Sequence, residues 1–171
     1  MNGKVWAMTA FGVFLSLALG FFIIPTKLTI ERAVLVDASP QAIYPHIVDL
    51  SAWEAWDPWR VEGVGVPGKG VGAQRPWPHG GTLHVQDVEQ DIRIQYTIDE
   101  AARPSNGTIE LLNDDGGTVV VWTHYTQTGY LPQQRLSGWV DRSALALEMD
   151  DALSMLKAGI EGSDENTSAP R

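Results

Sequence analysis

Histidine is the side chain best suited to moving protons near neutral pH, and the chain has four: His46, His79, His84 and His124. His124 shares one face of a predicted strand with Trp122, so an ionisable ring would lie beside apolar surface. There it could orient a ligand carbonyl or act as a general acid or base, with hydrogen bonds added by Tyr96 and Arg75. The alternative is a structural histidine that is satisfied by neighbours or water.

Metal chemistry has weaker support in the sequence. His79, His84 and Asp87 could surround an ion together with His124, but their spacing matches no familiar zinc site. The chain has no cysteine, which excludes thiolate catalysis and disulfides. We therefore predict neither a metal nor a cofactor.

Three of the seven tryptophans lie in the short stretch "SAWEAWDPW", residues 51–59. Ser51 and Glu54 have the spacing of a capping box, which predicts a helix of one or two turns that ends at Asp57-Pro58. Two interpretations remain open for Trp53, Trp56 and Trp59. The indoles could wall the entrance of a binding cavity, in one variant as a cage for a quaternary ammonium group, or they could be ordinary core anchors.

Length and charge limit the classes of function. With 171 residues, the chain is long enough for one domain with a hydrophobic core. A formal net charge of -9 argues against binding to a phosphate backbone, which requires clustered lysine and arginine. We therefore predict no nucleic-acid partner.

The segment from Val5 to Ile24 carries no charge. Twenty helical residues would span about 30 Å, the thickness of the hydrocarbon layer of a bilayer. We predict a single-pass membrane anchor, with the side of the remaining chain undetermined and a cleaved signal peptide as the alternative. Gly12, Ser16 and Gly20 share one face of this helix and could pack against another membrane helix.

The remaining sequence alternates between strand and helix patterns. A strand over 28–39 precedes a helix that starts at Pro40 and is bent or shortened by Pro45. Four strand-like runs follow, and we expect turns at Asn106-Gly107 and at residues 115–117. From about Val140 the period becomes helical, with an apolar stripe formed by Leu145, Met149, Leu153, Leu156 and Ile160.

Alternation within the strands predicts which side chains point inward. One strand would direct Ile92, Ile94, Tyr96 and Ile98 to the interior. In the last strand, Val120, Trp122, His124 and Thr126 oppose a second set that is also partly apolar. Polar groups therefore reach both faces, which indicates that one face lines something other than a dry core.

This order of elements, with the passages "IERAVLVDASPQAIYPHIVDLSAWEAWDPW", "GKGVGAQRPW", "GTVVVWTHYTQTG" and "ALSMLKAGIE", resembles the polyketide cyclase/dehydrase branch of the START/Bet v 1-like (SRPBCC) superfamily. The resemblance implies an α+β helix-grip fold, in which a curved antiparallel sheet surrounds a long C-terminal helix, here with an N-terminal transmembrane helix. It also implies a cavity for hydrophobic molecules. We predict an anchor over residues 1–26, a ligand-binding domain over 27–162 and a disordered tail over 163–171.

The function predicted on this basis is a membrane-anchored binding or transfer module for a hydrophobic small molecule or lipid. Two alternatives are kept: a cyclase- or dehydrase-like enzyme that acts on an apolar carbonyl substrate through His124 and Tyr96, and a structural domain with a filled core. The predicted residues of the cavity and its entrance are Trp53, Trp56, Trp59, Arg75, Trp77, Tyr96, Trp122, His124, Met149 and Leu153.

Overall fold

The computed structural model describes residues 12, 26–59, 68–78, 80–99, 105–129 and 131–168. Strand β1 (Lys27–Val36) is followed by helix α1 (Pro40–Val48) and a short 3-10 helix (Ala52–Ala55). Five strands come next: β2 (Gln74–Pro76), β3 (Thr82–Glu89), β4 (Arg93–Asp99), β5 (Ser105–Asp114) and β6 (Gly117–Gln127). Helix α2 (Pro132–Ser168) follows.

The six strands form one antiparallel sheet in the order β1-β6-β5-β4-β3-β2. β1, the first strand along the chain, pairs with β6, the last, and α2 packs mainly against β1. This arrangement confirms the helix-grip architecture that the sequence predicted. The core lies between the inner face of the sheet, α1, the 3-10 helix and the second half of α2.

The inner face follows the predicted alternation in most strands. Ile94, Tyr96 and Ile98 of β4 are buried, as are Val120, Trp122 and His124 of β6. Ile92 was wrongly included in this set, because it lies in the turn before β4 and is largely exposed.

A turn at Asn106-Gly107 was also predicted wrongly, since both residues lie inside β5. Gly107 pairs with Tyr96 of β4 on one side and with His124 of β6 on the other. A change of chain direction is not the reason for this glycine; the Tyr96 side chain and the Thr123 carbonyl oxygen approach it so closely that a Cβ has no room.

The tryptophan-rich segment forms a single 3-10 turn, and the capping box expected at Ser51 and Glu54 is absent. Ser51 makes no side-chain cap; its hydroxyl and its backbone N–H both donate to the Asp49 carboxylate instead. Asp49 therefore accepts the hydrogen bond from the Ser51 backbone N–H that the side chain of Glu54 was expected to accept.

Helix α2 begins at Pro132, eight residues before the predicted start at Val140. Its buried stripe is as predicted, with Met149, Leu153, Leu156 and Ile160 buried and Leu145 partly buried. The first turns were missed because their apolar side chains lie on the opposite face of the helix. The helical backbone continues to Ser168, beyond residue 162, where the ligand-binding domain was predicted to end. The predicted division of the chain into anchor, domain and tail stays a prediction.

The predicted localisation as a single-pass membrane protein is corrected. Within the described ranges, no helix is long and apolar enough to cross a membrane. Helix α2 is long enough, but charged residues along it, such as Asp141, Arg142 and Asp150, leave no sufficiently apolar stretch. The predicted span over residues 5–24, with Ser16 and Gly20, lies outside the described residues except for Gly12.

Candidate functional site

Tryptophan rings form one contiguous group inside the sheet. Trp53 and Trp56, which are neighbours on the 3-10 turn, have ring centroids 4.8 Å apart. Both contact Trp122 of β6 edge to face, with centroids at 5.9 and 6.0 Å. All three indoles are buried, so this group joins the 3-10 turn to β6 on the inner face of the sheet.

The indole N–H groups of Trp53 and Trp56 attach the 3-10 turn to the end of α1. Trp53 Nε1 donates to the carbonyl of Ile47 at 2.9 Å, and Trp56 Nε1 donates to the carbonyl of His46 at 3.1 Å. Carbonyls in the last turn of a helix have no partner within the helix, so these contacts satisfy them. The geometry of these two rings is that of core anchors, and the entrance role stays a prediction.

Replacement of Trp53 by phenylalanine should lower the free energy of unfolding by roughly 2 kcal/mol. The smaller ring leaves a void, and the buried carbonyl of Ile47 loses its donor. Chemical denaturation monitored by circular dichroism measures the change. Tyr125→Phe, at an exposed position of β6, is the control and should change stability by less than about 0.5 kcal/mol. Equal effects for the two variants would contradict the anchor role.

Trp59 differs from the other two because it is only partly buried and packs against the core from its edge. Its ring lies 5.0 Å from that of Trp77 and 6.2 Å from that of Trp122. Trp77 in turn is stacked parallel to His124, with centroids 6.0 Å apart and an interplanar angle of 4°. Aromatic contacts therefore connect the end of the "SAWEAWDPW" segment to the predicted acid-base residue.

A buried hydrogen-bonded group joins three of the predicted site residues. Trp122 Nε1 donates to Tyr96 Oη at 2.7 Å, and Tyr96 Oη lies 3.2 Å from His124 Nδ1. An indole N–H can only donate, so the phenol accepts from Trp122 and its own proton is available to His124. If the phenol donates to His124, Nδ1 is the acceptor and a neutral imidazole carries its proton on Nε2; in the other tautomer, Nδ1–H donates to the phenol oxygen.

The Tyr96 hydroxyl stays protonated in this environment. Burial raises the pKa of Tyr96 well above its ordinary value of 10.0, and the hydrogen bond from Trp122 opposes this effect only in part. Tyr96 is therefore present as a neutral phenol and is unsuited to act as a phenolate near neutral pH.

A second buried polar group is the ion pair between Asp57 and Arg75, which the sequence analysis missed. Arg75 Nη2 lies 2.5 Å from Asp57 Oδ2, and both side chains are more than nine-tenths buried. The guanidinium also lies over the Trp53 ring, 5.8 Å from its centroid. The sequence contained a signal for this pair. Asp57 lies two residues before Trp59, and Arg75 lies two residues before Trp77, each with a proline between them.

The environment of Asp57 opposes its ionisation. Burial raises the pKa of its carboxyl above the ordinary 3.8, while the Arg75 guanidinium lowers it again in part. The backbone N–H of Trp59 also donates to Asp57 Oδ1 at 2.7 Å. Asp57 therefore fixes both the arginine and the chain that leads to Trp59.

The ten predicted site residues lie in or against one interior cluster. Met149 and Leu153 of α2 close it from the helix side and are fully buried. Arg75 and His124 contribute its buried polar atoms, and Trp59 lies at its edge. The arrangement is an aromatic interior with two separate polar groups.

The residues discussed as a metal set are not brought together in the described part of the chain. No group of three or more His, Cys, Asp or Glu side chains there is placed to hold a metal ion. His79 lies outside the described residues. His124 is engaged with Tyr96 and Trp77 instead.

A helix-grip sheet that encloses buried aromatic and polar side chains defines the class of this protein. Residues 27–161 match the model of the family described as polyketide cyclase / dehydrase and lipid transport. The chain belongs to this family, and it is an SRPBCC domain of the ligand-binding or cyclase-like kind. The search of curated proteins found no match.

Solved structures with a similar fold come from varied sources. An uncharacterised protein from Rhizobium leguminosarum is 18% identical, with a TM-score of 0.56 over 79% of this chain and 95% of that chain. The Aha1 dimer from Colwellia psychrerythraea is 16% identical, with a TM-score of 0.58 over 78% of this chain and 96% of that one.

A third similar structure is the di-domain ARO/CYC StfQ from the steffimycin biosynthetic pathway. It is 13% identical, with a TM-score of 0.59 over 82% of this chain and 52% of that chain. At these identities the three structures support the fold alone.

Proposed function

We propose that this domain binds a hydrophobic small molecule that carries an oxygen function, with the oxygen directed to the Tyr96–His124 pair. The hydrogen bond between Tyr96 and His124 inside an aromatic interior is the observation that carries the proposal. Buried polar groups are costly unless they are paired, and apolar side chains would fill a core more cheaply.

The surroundings of the pair suit an aromatic or polyunsaturated ligand. Trp77 stacks on His124, and Trp59 extends the aromatic surface toward the edge of the core. The flat rings supply contact area, and the phenol and imidazole supply directional hydrogen bonds. Family membership, which includes lipid transport in its description, supports the same ligand class.

Native mass spectrometry of the full-length chain from its own host tests the proposal, paired with tryptophan fluorescence during extraction with organic solvent. We expect a bound apolar molecule whose removal shifts the emission. An empty protein with unchanged emission would favour the alternative of a structural domain with a filled core.

The polar contact is tested with the recovered molecule by comparing Tyr96→Phe and Tyr125→Phe. Loss of the Tyr96 hydroxyl should weaken binding about tenfold, since one buried hydrogen bond is lost. Replacement of Tyr125, at an exposed position of β6, should leave affinity unchanged. Equal affinities for the two variants would contradict the assignment of the polar end.

A cyclase-like enzyme is the second candidate, favoured by the same phenol–imidazole pair. A neutral imidazole can take a proton from the α-carbon beside a substrate carbonyl, and the imidazolium that forms can return this proton to the resulting enolate. If the molecule is a substrate, His124→Ala should reduce turnover by about a hundredfold or more while affinity falls much less. Equal losses of binding and turnover would instead support a binding module.

A further inference from the structure

A row of polar side chains crosses the outer face of the sheet, on the side that points away from the core. Directly opposite one another on five adjacent strands are Thr29 of β1, Tyr125 of β6, Asn106 of β5, Thr97 of β4 and His84 of β3. Strands in a sheet lie about 4.8 Å apart, so this row is about 19 Å long.

Three cavities lie along this row, with volumes of about 370, 460 and 570 Å³. Asn106 lines all three, and each pair of cavities shares at least one further residue, namely Tyr125, Gln127 or Thr97. The cavities are therefore one continuous depression of the size that small-molecule sites have. We call the row and these cavities the outer trough.

Neutral groups that both donate and accept hydrogen bonds dominate the lining of the trough. Its carboxamides are Gln86, Gln95, Asn106 and Gln127, which are accompanied by threonine hydroxyls and the Tyr125 phenol. A carboxamide offers two N–H donors and a carbonyl acceptor, and a hydroxyl offers both functions on one atom. Among the described residues, each cavity has one acidic or basic residue besides histidine, with Lys27, Asp99 and Glu110 at separate places.

Asn106, at the centre of the trough, is unfavourable for the strand in which it lies. Asparagine is depleted in strands, and the adjacent Gly107 is already explained by the close approach of Tyr96. The Asn106 side chain is exposed, so it adds nothing to the core. A residue that opposes local preference without a gain in packing is expected at a functional position.

A β-bulge brings a second carboxamide to the trough. The register between β3 and β4 shifts between Val85 and Asp87, which makes Gln86 the extra residue of the bulge. Gln86 Nε2 donates to Thr97 Oγ1 at 2.9 Å, so the carboxamide is fixed beside the central row. Bulges of this kind redirect side chains and are frequent next to functional sites.

We propose that the outer trough binds an uncharged, polyhydroxylated ligand, a segment of a neutral glycan. Each sugar hydroxyl donates and accepts, which matches the carboxamides and hydroxyls of the lining. The Tyr125 ring, which is 43% exposed, adds a flat surface on which the C–H groups of a sugar ring can stack.

Other classes of partner fit this surface less well. An ionic ligand requires charge of one sign, whereas Lys27 and the two acidic residues of the lining have opposite signs. An apolar ligand would take the carboxamides out of water without giving them partners. A peptide that adds as a strand needs a free sheet edge, and the strands β4, β5 and β6 are paired on both sides.

Affinity electrophoresis of the full-length chain tests the proposal. Native gels contain dextran, hydroxyethylcellulose, galactomannan, arabinoxylan or no polymer, and mobility is compared with that of a reference protein. We expect retardation by at least one of the four neutral polymers, and dextran sulfate should retard the chain no more than dextran does. Retardation by none of the four would overturn the proposal. Stronger retardation by dextran sulfate would also overturn it, because it would indicate binding to charge.

Two carboxamide variants locate the binding site. Asn106→Ala should weaken the affinity for the retaining polymer at least tenfold, since hydrogen bonds at the centre of the trough are lost. Gln90→Ala is the matched control and should leave affinity unchanged, because it removes an exposed carboxamide that lies outside the three cavities. Circular dichroism verifies that both variants fold. Equal affinities of the two variants would place the binding elsewhere and contradict the proposal.

The contribution of the ring is measured by calorimetry with the hexasaccharide of the retaining polymer. Tyr125→Ala should lower affinity about fivefold, whereas Tyr125→Phe keeps the ring and should lower it less than threefold. Unchanged affinity of Tyr125→Ala would count against a stacked sugar. The trough and the Tyr96–His124 pair lie on opposite faces of the sheet, so these results do not depend on whether the interior binds a ligand.

Discussion

Replacement of Asp57 by alanine is expected to lower the free energy of unfolding by about 3 to 5 kcal/mol. The substitution leaves the Arg75 guanidinium buried without its counterion, and breaking a buried pair from one side is costly. Arg75 Nη2 also lies 3.4 Å from the carbonyl of Trp59, a contact that is too long to offer much compensation. Urea denaturation followed by circular dichroism gives the change in stability.

A surface ion pair provides the matched control for this prediction. Arg32 Nε lies 2.9 Å from Asp150 Oδ2, but both side chains are more than one-third exposed. Asp150→Ala should therefore cost less than about 1 kcal/mol. If Asp57→Ala costs no more than Asp150→Ala, then water or another group reaches Arg75 and the pair is not a closed buried unit.

A double replacement separates the charge effect from packing. Asp57→Leu combined with Arg75→Met removes both charges and keeps apolar volume, so it should recover most of the stability lost by Asp57→Ala. If the double variant does not recover stability, the loss is assigned to the missing hydrogen bond between the backbone N–H of Trp59 and the Asp57 carboxylate instead.

Gly107→Ala is expected to destabilise the fold by about 1 to 3 kcal/mol, because a methyl group at this position has no room. A Cβ built on Gly107 lies 2.4 Å from Tyr96 Oη and 2.6 Å from the backbone carbonyl of Thr123. The Tyr96 ring must move, which strains the core and lengthens its hydrogen bonds to His124 and Trp122.

Two measurements check this prediction. Thermal unfolding reports the loss of stability, and nitrogen-15 chemical shifts of His124 report whether the hydrogen bond between Tyr96 and Nδ1 persists. Gly159→Ala in α2, where nothing lies within 4 Å of an added Cβ, is the control and should leave stability unchanged or raise it by up to about 1 kcal/mol. Equal effects for the two glycine variants would show that Tyr96 is free to adjust.

The positions of most elements follow from local patterns. The alternation of apolar residues predicted both ends of β3, and the Ser39-Pro40 pair predicted the start of α1. Both signals depend only on residues that are close in sequence. Local patterns gave a wrong prediction at Gly107, which lies inside β5, because Asn-Gly is a common turn signal. Only the crossing of the Tyr96 side chain over β5 explains a glycine there.

The sequence by itself determined the helix-grip architecture, the family and the set of residues that gather inside the sheet. Periodicity specifies which face of each element is apolar, and the segments that carry the family resemblance lie along most of the chain. The tertiary structure alone decided which polar atoms meet. Asp57 and Arg75 are 18 positions apart, and Tyr96 and His124 are 28 apart, so their pairing depends on the packing of separate elements. The face of α2 that remains exposed was decided in the same way, because periodicity cannot show where the sheet ends beneath a helix.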